Sequence, residues 1–203
     1  RPPRATPLYS SAASDVYKRQ PLNPLSLALG AEASFVARSI DMDRDLTADV
    51  LREASSHKGS AFVEIYQNCN VFNDKAFEQL TTKEGKVANR INLIHGKPTT
   101  FGAEDELAVT IKNGKAEVVK KADISADEIY VHDMYEENPS IAFSLSRLSH
   151  GPYGPTPVGI LRKIQRDTFT EEVHGQIADA KDSKGEGDLD KLIRSLGTWE
   201  VSS

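Results

Sequence analysis

Apolar positions keep a regular rhythm up to about residue 74 and a looser one after it. Asn23-Pro24 sets a capping side chain and a proline before Leu25, Leu27, Ala28, Leu29 and Ala31. That order predicts a helix start, apolar on nearly every side. The stretch 34–40 reads as a short strand. From Asp45 to His57, the residues Leu46, Val50, Leu51 and Ala54 recur at the spacing of one helical face, and Lys58-Gly59 ends it. Ala61 to Tyr66, A-F-V-E-I-Y, has the β-branched and aromatic composition of a buried strand. It then breaks into Gln67, Asn68, Cys69 and Asn70, which is turn chemistry. Helix, strand, helix and strand with short joints predict the closing part of a parallel α/β sheet.

The rest reads as a smaller α+β extension. A short helix is predicted over 75–82, an exposed polar stretch over 83–89 and a strand over 90–95. Residues 107–111 and 116–119 flank Asn113-Gly114, the strongest short signal for a hairpin. Residues 128–132 predict a strand, and Asn138-Pro139 starts a helix running to about Ser149. A Pro- and Gly-rich loop over 151–157 leads to a last strand over 158–164. Amphipathic helices at 170–182 and 188–196 flank a flexible joint. A boundary is therefore placed near residue 72, dividing 21–72 from 73–203.

Composition narrows the class. The 203 residues are 38% hydrophobic and 27% charged, with no apolar run approaching a membrane span. The net charge is −5, made of +3 over residues 1–20 and −8 over the remainder. No basic stripe or interleaved aromatic platform appears, which disfavours nucleic acid as a partner. A single cysteine excludes an internal disulfide framework and is consistent with a reducing cytoplasm. Residues 1–20 lack a starting methionine, and S-S-A-A-S-D-V-Y-K-R-Q resembles a translated sequencing-adapter scar. With no apolar signal-peptide core, the segment is set aside from fold reasoning as non-native. The expectation is a chain whose true amino-terminal part is missing.

Most candidate motifs fail on inspection. Asp41-Met-Asp43-Arg-Asp45 begins like a calcium loop, but Leu46 stands where glycine is needed and Arg52 where glutamate is needed. Gly185-Glu-Gly187 follows no strand and lacks a third glycine. His57, His95, His132, His150 and His174 fall on separate elements, with no pair at metal-ligand spacing. His132-Asp133 has the form of a base and its orienting carboxylate, although a hydrogen-bonded structural histidine is the commoner case. Cys69 sits just past a strand's carboxyl end, the edge where α/β sheets collect ligands. It is either a small buried hydrophobe or one ligand of a site completed elsewhere, because an iron–sulfur cluster needs further thiolates.

A resemblance tips that balance. N-P-L-S-L-A-L-G-A-E-A-S-F-V-A-R (23–38), G-S-A-F-V-E-I-Y-Q-N-C-N-V-F-N-D (59–74) and S-R-L-S-H-G-P-Y-G-P-T-P-V-G (146–159) closely resemble the β subunit of 2-oxoacid:ferredoxin oxidoreductases, in the 2-oxoglutarate branch. The resemblance implies that 21–72 is the carboxy-terminal part of a thiamine-diphosphate-binding α/β domain and 73–203 its carboxy-terminal extension. It implies an enzyme of the EC 1.2.7 class that decarboxylates a 2-oxoacid oxidatively, with coenzyme A, an α subunit and ferredoxin as partners. Its cofactors would be thiamine diphosphate, magnesium and a 4Fe-4S cluster. Cys69 matches the position of the fourth cluster ligand, and Gln67, Asn68 and Asn70 would lie around the cluster sulfurs. The family's three earlier cysteines and its Gly-Asp-Gly-Asp stretch have no counterpart here, as in an amino-terminally truncated chain. Competing readings are a non-catalytic subunit-interaction module and a cluster-free thiamine-diphosphate enzyme.

Overall fold

A computed structural model describes residues 22–71, 74–148, 154–199 and 201. Helix α1 (Pro24–Gly30) starts where Asn23 accepts a hydrogen bond from the Ser26 amide at 3.0 Å. Leu25 and Leu29 are fully buried, while Leu27 is exposed, so the helix packs on one side rather than all round. Strand β1 (Phe35–Ile40) is buried throughout. Helix α2 (Arg44–Ser56) lays Leu46, Val50 and Ala54 against Phe35 and Ala37, a stripe at four-residue spacing. Strand β2 (Ala61–Tyr66) then pairs with β1 in parallel, Phe35 opposite Ala61.

After the loop come the short helices α3 (Glu78–Thr81) and α4 (Lys83–Asn89) and strand β3 (Arg90–Leu93). The stretch expected to be merely polar is thus helical, because the Thr82 hydroxyl caps it by accepting from the Gly85 amide at 3.1 Å. Strands β4 (Thr100–Phe101), β5 (Leu107–Lys112) and β6 (Lys115–Lys120) form an antiparallel sheet. Asn113 and Gly114 take φ of +51° and +75° in its turn, as a type I′ hairpin requires. The strand expected over 128–132 is reduced to single bridges, Ile129 to Thr110 and Val131 to Pro98. Helix α5 (Ser140–Ser146) and strand β7 (Thr156–Lys163) follow.

The main sheet has the order β2-β1-β7-β3. β1 and β2 are parallel, as are β3 and β7, but β7 runs antiparallel to β1. The α/β class stands, and the sheet is mixed rather than all parallel. Gly159, at φ +113°, lets β7 pass between its neighbours, since a Cβ there would lie 2.8 Å from the Leu93 carbonyl. β2 is an edge strand with Ile65 exposed, although its composition resembles that of a buried one. Strands from both sides of residue 72 share this sheet. One core likewise joins Leu25, Leu29 and Val36 to Phe101, Val109, Leu145 and Leu161.

The break in packing falls between Arg166 and Asp167. Beyond it, helix α6 (Phe169–Lys184) opens with a Thr168/Glu171 capping box, and helix α7 (Leu189–Arg194) is capped by Asp188. Leu189, Leu192, Ile193, Leu196 and Trp199 are exposed there. Among the described residues, no helix is long and apolar enough to cross a membrane.

Candidate functional site

The carboxyl ends of β1 and β2 share an edge with the amino ends of β3 and β7. Two buried cations hold this edge together. Arg38, 2% exposed, donates to Glu64 at 2.7 Å and to the Pro157 carbonyl at 3.3 Å, and lies 4.9 Å from the Tyr66 ring centroid. Arg90 donates to the Leu80 carbonyl at 2.6 Å and to Asp43 at 2.5 Å. Each pairing offsets the cost of taking a guanidinium out of water. Tyr66 stacks on Phe77 at 4.6 Å, and burial pushes its phenol up to about 12, so it stays protonated at neutral pH.

Asp43 also accepts from the Leu46 amide as the cap of α2. Burial raises its pKa, but the hydrogen bonds from Arg90 and Leu46 and the charges of Lys86 and Arg90 outweigh that and leave it below the ordinary value of 3.8. Its contribution to stability is therefore full above the unfolded pKa and is lost as pH falls through the lower folded one. The stability advantage of the native chain over Asp43→Asn is expected to shrink in urea melts between about pH 5 and pH 3. An advantage independent of pH would show that the carboxylate charge contributes nothing.

Cys69, half-buried, lies in the loop leaving β2. That loop is fastened on each side. The Asp41 amide donates to the Tyr66 carbonyl at 2.9 Å, and the Asn68 amide donates to Asp41 Oδ2 at 3.2 Å. Asn68 Nδ2 donates to Asp74 Oδ1 at 3.0 Å, and the Lys75 amide donates to Asn68 Oδ1 at 2.9 Å. The Asn68 carboxamide is thus engaged with the far end of its own loop. Asp41 and Asp43, from the stretch that fails as a calcium loop, anchor the loop and Arg90 respectively.

The histidines do not assemble. His132 is buried, with Nε2 2.8 Å from the Ile160 carbonyl. Burial lowers its pKa more than that hydrogen bond and Asp133 raise it, leaving a neutral structural ring. Asp133 meets His95 Nδ1 at 3.3 Å instead. His57 joins Ser34 Oγ at 2.8 Å, His174 is exposed on α6, and His150 lies outside the described residues. No group of three or more His, Cys, Asp or Glu side chains is placed to hold a metal among the described residues. A cleft of about 480 Å³ between α1, the β5–β6 turn and α5 is lined by Leu29, Glu32, Lys115, Phe143 and Arg147, none of them a candidate site residue in the sequence. Cys69 was legible in the sequence; the partners of Asp41 and of the buried arginines were not, because they are distant in the chain.

The carboxyl edge of an α/β sheet, where ligands collect in folds of this class, here carries a half-buried thiol on a fastened loop. No family model matches the chain. Over most of its length the chain is similar to β subunits of the 2-oxoacid:ferredoxin oxidoreductases. It is 44% identical over 183 residues to the 2-oxoglutarate oxidoreductase subunit KorB of Mycobacterium tuberculosis, a match covering 89% of this chain and 49% of that protein. The β subunit of 2-oxoacid:ferredoxin oxidoreductase 1 from Aeropyrum pernix is 38% identical over 53 residues, 26% of this chain and 17% of that one. The fold is also that of a chain of the 2-oxoglutarate:ferredoxin oxidoreductase from Magnetococcus marinus, solved with 2-oxoglutarate, coenzyme A and succinyl-CoA bound. There the TM-score is 0.51 at 20% identity, over 89% of this chain and 46% of that one. The chain thus spans about half the length of this Mycobacterium tuberculosis relative.

Proposed function

We propose that this chain supplies one thiolate, Cys69, to a four-iron four-sulfur cluster in a 2-oxoacid:ferredoxin oxidoreductase, with 2-oxoglutarate as the favoured substrate. The supporting observation is position. A match over 89% of the chain leaves too few residues outside it to omit Cys69, and that residue stands on the ligand edge of the sheet. Residues 21–72 are then the end of a thiamine-diphosphate-binding domain, and 73–203 its extension. The reaction is oxidative decarboxylation with acyl transfer to coenzyme A, in assembly with an α subunit. The chemistry such a cluster supplies is one-electron transfer toward ferredoxin.

The donor set fits one corner of a cluster. The chain has a single cysteine, so the other thiolates come from residues outside it. Nothing in the sequence matches the stretch that holds thiamine diphosphate and magnesium in this family, so these too belong to other parts of the enzyme. The chain's own residues fix the thiol's place. Asp41 ties its loop to β1, and the Tyr66–Phe77 pair forms an apolar wall at the same edge.

The chain alone, incubated with iron and sulfide, is expected to show no stable cluster absorption and no stoichiometric iron, since one thiolate cannot hold four irons. A monomer with a stable, stoichiometric cluster would contradict the single-ligand role.

A further inference from the structure

We propose that Asn68 is a positioning residue that sets where Cys69 presents its sulfur; this rests on the reading of Cys69 as a cluster ligand. Asn68 precedes that cysteine and is held at both its backbone and its side chain. Its N–H donates to Asp41 Oδ2 at 3.2 Å, which fixes the first arm of the loop to the end of β1. Its Nδ2 donates to Asp74 Oδ1 at 3.0 Å, and its Oδ1 accepts the Lys75 N–H at 2.9 Å, which draws in the second arm. The Lys75 N–H is shared with Asp74 Oδ1 at 3.0 Å, and Lys75 has φ of +63°, a left-handed conformation that needs outside support. Residues 67–71 and 74–75 are thereby tied to each other and to β1.

Fixing a loop costs conformational entropy whenever a ligand must be placed. A loop already tied loses less when its thiolate binds iron, and holds the ligand in productive geometry. The Asn68 carboxamide therefore acts through the loop and not on the cluster sulfurs.

In the full chain, Asn68→Ala is expected to speed hydrogen exchange of the Lys75 amide about tenfold, the loss of roughly one hydrogen bond. Asp74→Ala should act in the same direction, and Asp74→Asn, which keeps an acceptor oxygen, should restore slow exchange. In the assembled enzyme, Asn68→Ala should release iron to a chelator faster at an unchanged midpoint potential, and Asp74→Asn should retain iron as the native protein does. Unchanged Lys75 exchange in Asn68→Ala overturns the proposal. So does a shifted potential with native iron retention, which would put the carboxamide on the sulfurs. Full iron in Cys69→Ser overturns the ligand reading and this inference with it, whatever the exchange rates show.

Discussion

Cys69→Ser is expected to abolish electron delivery to ferredoxin in the assembled enzyme and to lower its iron content, while leaving the fold of this chain intact. A serine hydroxyl has neither the softness nor the acidity of a thiol, so it is a poor ligand for iron in a sulfide cluster. Loss of partners one shell further out typically costs about 10–100-fold in metal affinity or activity. Loss of the ligand itself should therefore cut ferredoxin reduction by at least about 100-fold. The structural cost is small by comparison. Cys69 is half-buried in a loop held by Asp41, Asn68 and Asp74. Oxygen for sulfur at such a place changes stability by about 1 kcal/mol or less. Iron analysis, ferredoxin reduction and a thermal melt together separate the two effects. An enzyme that keeps its iron and its rate would leave Cys69 a packing residue.

Local chemistry carried the legible part of this fold. Asn23-Pro24 marks a real helix start, and Asn113-Gly114 a real hairpin, because capping and positive φ are decided within a few residues. The end of β2 and the placement of Cys69 just past it were readable for the same reason. Strand order and direction were not. A two-residue period says which face a residue takes but not which strand lies beside it, so β7 between β1 and β3 had no signature. The apolar run of β2 reads identically for a central and an edge strand. The strand expected over 128–132 meets Pro98 across one of its bridges, and proline has no N–H to continue a ladder. The buried arginines had no signature either. Arg38, Arg90 and Arg162 are each buried against partners 26, 47 and 130 residues away. The loop site shares that limit: Asn68 was legible as turn chemistry, but its bond to Asp41, 27 residues earlier, was not.

Arg162→Leu is expected to be among the most destabilising single changes in the chain. The Arg162 side chain is fully buried on β7 and serves three acceptors at once. Nη1 donates to the Ala33 carbonyl at 3.0 Å, and Nη2 donates to Glu32 at 3.2 Å and to the Glu137 carbonyl. The guanidinium thus fastens the α1–β1 turn to the segment before α5, with Arg166 reinforcing Glu32 at 3.1 Å. A leucine leaves those carbonyls without their donor, each worth about 1–3 kcal/mol when buried, and fills only part of the space. The expected loss is about 3–5 kcal/mol, the range for breaking a buried charge pair. At this chain length that lowers the melting temperature by roughly 10 °C. Glu32→Gln provides the contrast: that side chain is about half exposed, at 49%, and keeps an acceptor oxygen. Its cost should stay near 1 kcal/mol or below. Arg162→Lys should fall between them, because a single ammonium cannot span acceptors that a planar fork reaches together. If Arg162→Leu melts within about 3 °C of the native chain, the buried fork is not what joins these segments. The apolar contacts of Leu25, Leu29, Val36 and Leu161 would then suffice on their own.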